Sequence, residues 1–363
     1  MTLFRDLTTL RVGGPAGALV EATSREQLIA EALRIWGEPE DWMILGGGSN
    51  VVVADDGFDG NVLRVANRGV DRATDGVPRL RIEAGEPWDA VVATAVEHGL
   101  AGIEALSGIP GTAGAAPIQN IGAYGQQLGD TLVAIDFLDF GSGEVLTLSA
   151  DELELGYRTS AIKSGRLGVV LGIELALHDE GGMSEPVAYA QLAAALGVEL
   201  GARVPVAQVR DAVLALRASK GMVWDPADPD SVSAGSFFTN PIVTESFART
   251  LPADAPRYPT EPEPLARVLP LGAAVTPPET APPEEYRVKL SAAWLIERAG
   301  IERGFALPGS RAAISSKHTL AIVNRGDATA AEIVQLAGYV QTRVESEFGV
   351  RLQNEPVLVG LEL

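Results

Sequence analysis

Residues 107–125 read SGIPGTAGAAPIQNIGAYG. Five glycines and two prolines, interleaved with alanines, surround Gln119, Asn120 and Tyr124. Gly and Pro at this density argue against a regular helix or strand. Small side chains and accessible backbone donors instead suit a flat, polar ligand lying against the chain. The run reads as a backbone cradle for a large cofactor.

A second glycine-rich stretch, LGGGSN at 45–50, lies about sixty residues earlier. It reads either as an anion-binding nest of backbone N–H groups or as an ordinary turn. The segment after it is VVVADD, a strand pattern, whereas a dinucleotide fingerprint of the Rossmann kind must open a helix. A Rossmann fold is therefore disfavoured.

The flanking periodicities are mixed. Ser24-Arg25-Glu26-Gln27 fits a capping box ahead of an apolar stripe at Leu28, Ile29, Ala32, Leu33 and Trp36. WMIL, VVVAD, NVLRVA and RLRIEAG read as short strands, and Trp88 to Glu97 as a helix closed by Gly99. TLVAIDFLDF, GEVLTLS and GVVLGIELAL continue the strands, and Val206 to Arg217 is a helix starting behind Pro205. Two helical stripes, in KLSAAWLIERAG and ATAAEIVQLAGYVQTRVESEFG, bracket the strand TLAIVN, and VLVGLEL is a terminal strand. Residues 252–283 hold ten prolines and read as a surface excursion without ordered elements.

Bulk numbers bound the function. A chain of 363 residues suggests two or three domains. Its net charge of −20 argues against nucleic-acid and anionic-membrane partners, and an anionic substrate would require a few cations to converge locally. With no cysteine there is no disulfide or thiolate chemistry, and three scattered histidines give no metal motif. The N-terminus has no apolar signal core and no run reaches membrane-span length, so a cytoplasmic protein with no membrane insertion is expected.

Three polar positions are ambiguous on residue type alone. Arg158 in YRTSAIK reads as an ion-pair arginine, Ser236 in AGSFFTNP as a turn serine, and Glu355 in NEPV as a solvated glutamate. GSFF is not the nucleophile elbow of hydrolases, and the histidines give no sequence hint of a base beside Ser236.

Taken together, LRVGGPA (10–16), GGGSN, the 107–125 run, YRTSAIK (157–163), AGSFFTNP (234–241), KLSAAWLIERAG (289–300) and NEPVLVG (354–360) resemble, in order and over essentially the whole chain, the UDP-N-acetylenolpyruvoylglucosamine reductase family. The resemblance implies an α+β protein: a vanillyl-alcohol-oxidase-type FAD-binding domain of two subdomains, followed by an α+β substrate-binding domain. The expected boundaries are 1–67 with 351–363, then 68–222, then 223–350. The terminal strand would return to the first subdomain.

It further implies FAD as cofactor, NADPH as reductant, UDP-N-acetylglucosamine enolpyruvate as substrate and UDP-N-acetylmuramate as product. Arg158, Ser236 and Glu355 match the catalytic positions, with Arg158 and Glu355 stabilising the enolate-like intermediate and Ser236 protonating carbon. Gly46, Gly47, Gly48, Ser49, Asn50, Ser107, Gly108, Ile109, Pro110, Gly111, Thr112, Gly114, Ala115, Gln119 and Ile173 match the FAD lining. Tyr189, Lys220, Asn240 and His318 match substrate contacts, with Tyr189 on the mobile loop of a tyrosine-bearing subtype. No metal and a monomeric state are expected. The other readings are a flavin oxidase or dehydrogenase of the same fold, and a catalytically silent nucleotide-binding protein.

Overall fold

A computed structural model describes residues 1–73, 76–260 and 286–363. The N-terminal part is built on parallel pairing. Ala16–Ala22 and Trp42–Leu45 flank Phe58–Val65 in a three-stranded sheet. The helix Arg25–Trp36 buries Leu28, Ala32 and Ile35. Ser24 caps that helix by accepting the Gln27 N–H at 3.2 Å. The expected reciprocal bond goes elsewhere, because Gln27 Oε1 accepts the N–H of Thr23 at 3.0 Å.

LGGGSN links Trp42–Leu45 to the strand Val51–Val53, so the glycines open a strand and not a helix. Val51–Val53 pairs in parallel with Val357–Val359, which brings the C-terminus back to the N-terminal part. Side-chain alternation divides this strand between two cores. Val51 and Val53 pack with Phe4 and Leu45, and Val52 packs into the C-terminal core.

The middle of the chain forms an antiparallel five-stranded sheet in the order Val145–Ser149, Leu132–Asp139, Gly168–Ala176, Arg79–Glu83, Val70–Arg72. The helix Trp88–Glu97 covers it through Val91, Val92 and Ala95. The helices Ala190–Leu196 and Val206–Ser219 share a smaller core through Leu192, Ala193, Val209 and Val213.

The C-terminal part has two three-stranded antiparallel sheets and the long helix Ala330–Phe348. Thr329 and Glu332 form a capping box at its start, and Gly349 at φ 67° ends it. Phe237 and Phe238, each 1% exposed, anchor the AGSFF segment in this core.

Two expectations need correction. The 107–125 run is not free of ordered structure, since Ala113–Gln119 forms a 3-10 helix. Short i→i+3 bonding accommodates Pro117, and Asn120 at φ 44° stops the turn. Of the proline-rich stretch, 261–283 lies outside the described residues. In the described portion Arg257–Pro259 is a strand, paired with Arg287–Leu290. Its proline occupies an edge position, and the Arg257 guanidinium gathers carbonyls of Ala248, Leu251, Pro252, Ala253 and Ala255. Among the described residues no helix is long and apolar enough to cross a membrane.

Candidate active site

The two glycine-rich loops face each other. A Cβ on Gly47 would lie 2.7 Å from the Cα of Gly111, so only glycine permits this backbone approach. Gly48 has φ +62°, and a Cβ there would sit 2.0 Å from the Leu7 carbonyl oxygen. Ser49 Oγ donates to the Pro110 carbonyl at 3.2 Å, and Asn50 Nδ2 donates to Gln119 Oε1 at 3.0 Å.

Among the described residues, the N–H groups of Gly46, Gly47, Gly48 and Ser49 find no protein acceptor, and neither do those of Ile109, Gly111 and Thr112. Backbone donors left uncommitted on two facing loops form an anion cradle of the kind a dinucleotide diphosphate requires. These residues fit FAD.

Other positions expected to line the cofactor serve the loops themselves. The N–H of Gly108 donates to Asp89 at 2.6 Å, that of Gly114 to the Ala84 carbonyl and that of Ala115 to the Thr112 carbonyl. Ser107 is fully buried and bonds the Glu104 carbonyl. Ile173 is 3% exposed, with its side chain in the main core and its backbone paired to Ile82 and Ile135.

The loops lead to an ion pair. Arg158 Nε lies 3.1 Å from Glu355 Oε1, with both side chains largely buried. The other guanidinium nitrogens donate to the carbonyls of Asn120 (3.2 Å) and Gly122 (2.9 Å). Gln119 Nε2 donates to Glu355 Oε1 at 3.2 Å, and Asn50 Nδ2 reaches the Glu355 carbonyl at 3.2 Å.

Arg158, Asn120 and Tyr124 all take left-handed φ, at 55°, 44° and 50°. Such strain costs about 1–2 kcal/mol per residue and gathers at functional sites. Burial pushes the Glu355 carboxyl above its usual range and outweighs the opposing pull of Arg158, Lys163 and Gln119. Burial likewise holds Lys163 below the usual lysine range, against the attraction of Glu355.

Ser236 reaches this pair through the backbone. The Glu355 N–H donates to the Phe237 carbonyl at 2.8 Å, and the Thr239 N–H donates to that of Gln353 at 3.0 Å. The strand Ser233–Ser236 shifts register against Ala321–Asn324, and Gly235 takes φ +74° within the shift. An irregularity of this type re-aims a side chain at a strand end.

Ser236 Oγ lies 3.4 Å from His318 Nε2, so a histidine stands beside the serine; both are expected site residues, though no sequence pattern hints at the contact. The two are 82 positions apart in sequence, which is why no local pattern announced the contact. No carboxylate among the described residues orients His318 into a hydrolytic triad. Burial, followed by the charges of Lys220, Arg303 and Arg217, lowers the His318 pKa to about 4, so the ring is neutral near pH 7.

The other expected substrate contacts divide into two groups. Lys220 Nζ donates to Gln191 Oε1 at 2.8 Å and stands 5.3 Å from the Tyr124 ring centroid. Tyr189, 45% exposed, meets Tyr124 edge-on at 5.6 Å. These residues and His318 mark one side of the site. Asn240 lies apart from them, with its N–H donating to Tyr157 Oη at 3.3 Å and its Oδ1 accepting the Ala292 N–H at 2.9 Å. Asn240, Tyr157, Arg158 and Lys163 line a groove of about 730 Å³, which Ser236, Glu355 and His318 do not line. Tyr157 and Lys163 escaped sequence reasoning, although they bound the YRTSAIK motif that carries Arg158.

Comparison with known proteins agrees with this geometry. Residues 16–149 match an FAD binding domain, and residues 226–359 match the UDP-N-acetylenolpyruvoylglucosamine reductase C-terminal domain. A UDP-N-acetylenolpyruvoylglucosamine reductase of Leifsonia xyli subsp. xyli is 60% identical, over 98% of each chain. One of Saccharopolyspora erythraea is 50% identical, over 98% of this chain and 94% of the relative. The crystal structure of UDP-N-acetylenolpyruvylglucosamine reductase from Thermus caldophilus shares the fold at a TM-score of 0.63, with 24% identity over 99% of this chain and 97% of that one. An α+β chain with an FAD-binding domain and this C-terminal domain belongs to the UDP-N-acetylenolpyruvoylglucosamine reductase family.

Proposed function

We propose that this chain reduces UDP-N-acetylglucosamine enolpyruvate to UDP-N-acetylmuramate, a peptidoglycan precursor, with NADPH as reductant. The carrying observation is the Arg158–Glu355 pair held beside the glycine loops and backbone-paired to the Ser236 segment. The loops 46–49 and 109–112 would hold FAD, which would supply hydride transfer from NADPH to the terminal methylene carbon of the enolpyruvyl ether.

Negative charge then develops on the adjacent carbon and its carboxylate. The Arg158 guanidinium is permanently charged and is held by two backbone carbonyls, so it stabilises this charge without reorganising. Glu355 keeps its proton above the usual carboxylate range and in that state can donate to the same oxygens. Ser236 delivers its hydroxyl proton to the carbon. A neutral His318 that donates through Nε2 steadies the serine oxygen and leaves the hydroxyl proton free to point at substrate. Phe237 and Phe238 keep the segment dry.

Lys220 supplies positive charge for the diphosphate in a chain of net charge −20. Tyr189, exposed at the N-cap of Ala190–Leu196, supports assignment to the tyrosine-loop subtype, where it would close over the substrate. Asn240 presents its remaining amide donor to the substrate from the groove side. The proposed domains are 1–67 with 351–363 and 68–222 for the flavin, and 223–350 for the substrate. Pairing of Val357–Val359 with Val51–Val53 supports that division.

Anaerobic stopped-flow mixing tests the assignment. NADPH should bleach the flavin, and UDP-N-acetylglucosamine enolpyruvate should restore its colour. A flavin that NADPH reduces but this substrate leaves reduced would remove the substrate assignment.

A further inference from the structure

Arg217, on the helix Val206–Ser219, is a half-buried cation that the site described above does not use. Its Nε is shut off from solvent and has no hydrogen-bond partner among the described residues. Among the described residues one bond holds the guanidinium, from Nη2 to the Met222 carbonyl at 3.1 Å. No carboxylate lies within ion-pair distance of it among the described residues. The acids that act on it are Tyr124 and, to a lesser extent, Asp89, which is already committed to Arg210 by two bonds of 2.7 and 2.8 Å and to the Gly108 N–H at 2.6 Å.

A guanidinium nitrogen shut off from water normally has its donor filled and its charge matched, because removal of either partner is costly. Arg217 has neither condition met by the protein. Its position is between the two ligand sites. A Cβ on Gly108, in the second flavin loop, would lie 3.3 Å from Arg217 Nε. On its other side its charge acts on Tyr124, Lys220 and His318.

Like charge also accumulates here. Lys220, Arg303 and Arg217 act on His318; Arg303 pairs with Glu297 at 3.6 Å, which leaves Lys220 and Arg217 without a carboxylate in ion-pair reach among the described residues. A local excess of cations within an acidic chain points to an anionic ligand group.

We infer that Arg217 is the cation that neutralises a ligand diphosphate at the seam between the flavin loop and the substrate side of the site. The shared chemistry is a diphosphate diester, carried both by FAD and by the UDP-linked substrate. The UDP arm rests on the proposed function, while the FAD arm rests on the flavin domain alone. The guanidinium fork supplies paired donors, and Gly108, where a Cβ would meet Leu214 Cδ2 at 2.8 Å, lets the arginine pack against the flavin loop.

Arg217→Gln and Arg217→Lys in the full-length holoenzyme test this. Flavin released on dilution, read by its fluorescence, gives FAD affinity. UDP titrated against the oxidised holoenzyme, read by perturbation of the flavin spectrum, gives the second arm. Arg217→Gln should weaken one of the two by about 10- to 100-fold, the range for a charge-assisted hydrogen bond. Arg217→Lys should recover part of the loss. The arm that changes identifies the diphosphate.

A folded Arg217→Gln protein with both affinities within twofold of wild type overturns the inference. If the Gln variant does not fold, Arg217→Lys is read alone, and wild-type values in both arms overturn it equally. A wild-type protein that retains FAD but binds no UDP would count against the proposed substrate, leaving the FAD arm to decide the role of Arg217.

Discussion

Arg158 Nε and Glu355 Oε1 stand 3.1 Å apart, although 197 positions separate them in the chain and their motifs have no local relation. Arg158 is further fixed by the carbonyls of Asn120 and Gly122, so the cation belongs to the flavin loop as much as to its own segment. Arg158→Lys keeps a charge but cannot hold both carbonyls and the carboxylate in one plane. It should slow the substrate-reducing step by about 10²-fold, the scale of losing one preorganised donor, with bleaching of the flavin by NADPH near normal. Single-turnover rates of the two steps check this.

Glu355 gives a pH signature. Burial raises its folded-state pKa, so the folded protein holds this proton more tightly than the unfolded chain. The associated stability is present at low pH and is lost as pH rises through the raised value. The rate of the substrate-reducing step should fall over the same interval. In Glu355→Gln, permanently neutral, that limb should flatten, and a limb of wild-type shape would exclude Glu355 as its source.

His318 has the opposite sign. Its folded pKa of about 4 lies below the ordinary 6.5, so between those values the unfolded chain takes up a proton that the folded protein refuses. Stability contributed by the neutral ring is complete above about pH 6.5 and falls as pH decreases toward 4, by a few kcal/mol at most. His318→Gln should therefore lose less stability than wild type between pH 7 and pH 4.5, as read by urea unfolding at the two pH values.

Gly48 tests the cradle. Alanine at φ +62° costs about 1 kcal/mol or more from the backbone alone, and its Cβ would meet the Leu7 carbonyl at 2.0 Å. Gly48→Ala should purify with little bound flavin and a lowered thermal midpoint. Full flavin occupancy after gel filtration would show that this loop is not set by the glycine.

What the sequence made legible was mostly local. The strands on either side of LGGGSN and the helix Trp88–Glu97 follow from alternation and 3.6-residue periodicity. The cradle was legible because glycine density is a local signal of close backbone approach. Less visible were partners supplied from a distance, because a long-range hydrogen bond leaves no periodicity. His318 beside Ser236, Lys163 near Glu355 and the Asn120 carbonyl under Arg158 are all of this kind. The 3-10 turn at Ala113–Gln119 was hidden by its own proline, a helix breaker that short 3-10 bonding tolerates. Arg257 acts similarly, ordering a proline-rich segment from within through carbonyls that composition cannot reveal.

Ser236 carries the central claim, and its two half-reactions can be timed separately in Ser236→Ala. The account predicts flavin reduction by NADPH within about twofold of wild type, and reoxidation by UDP-N-acetylglucosamine enolpyruvate slowed by ~10²–10⁴-fold, as for loss of a general acid. Equal slowing of both steps, or reoxidation at the wild-type rate, would contradict it.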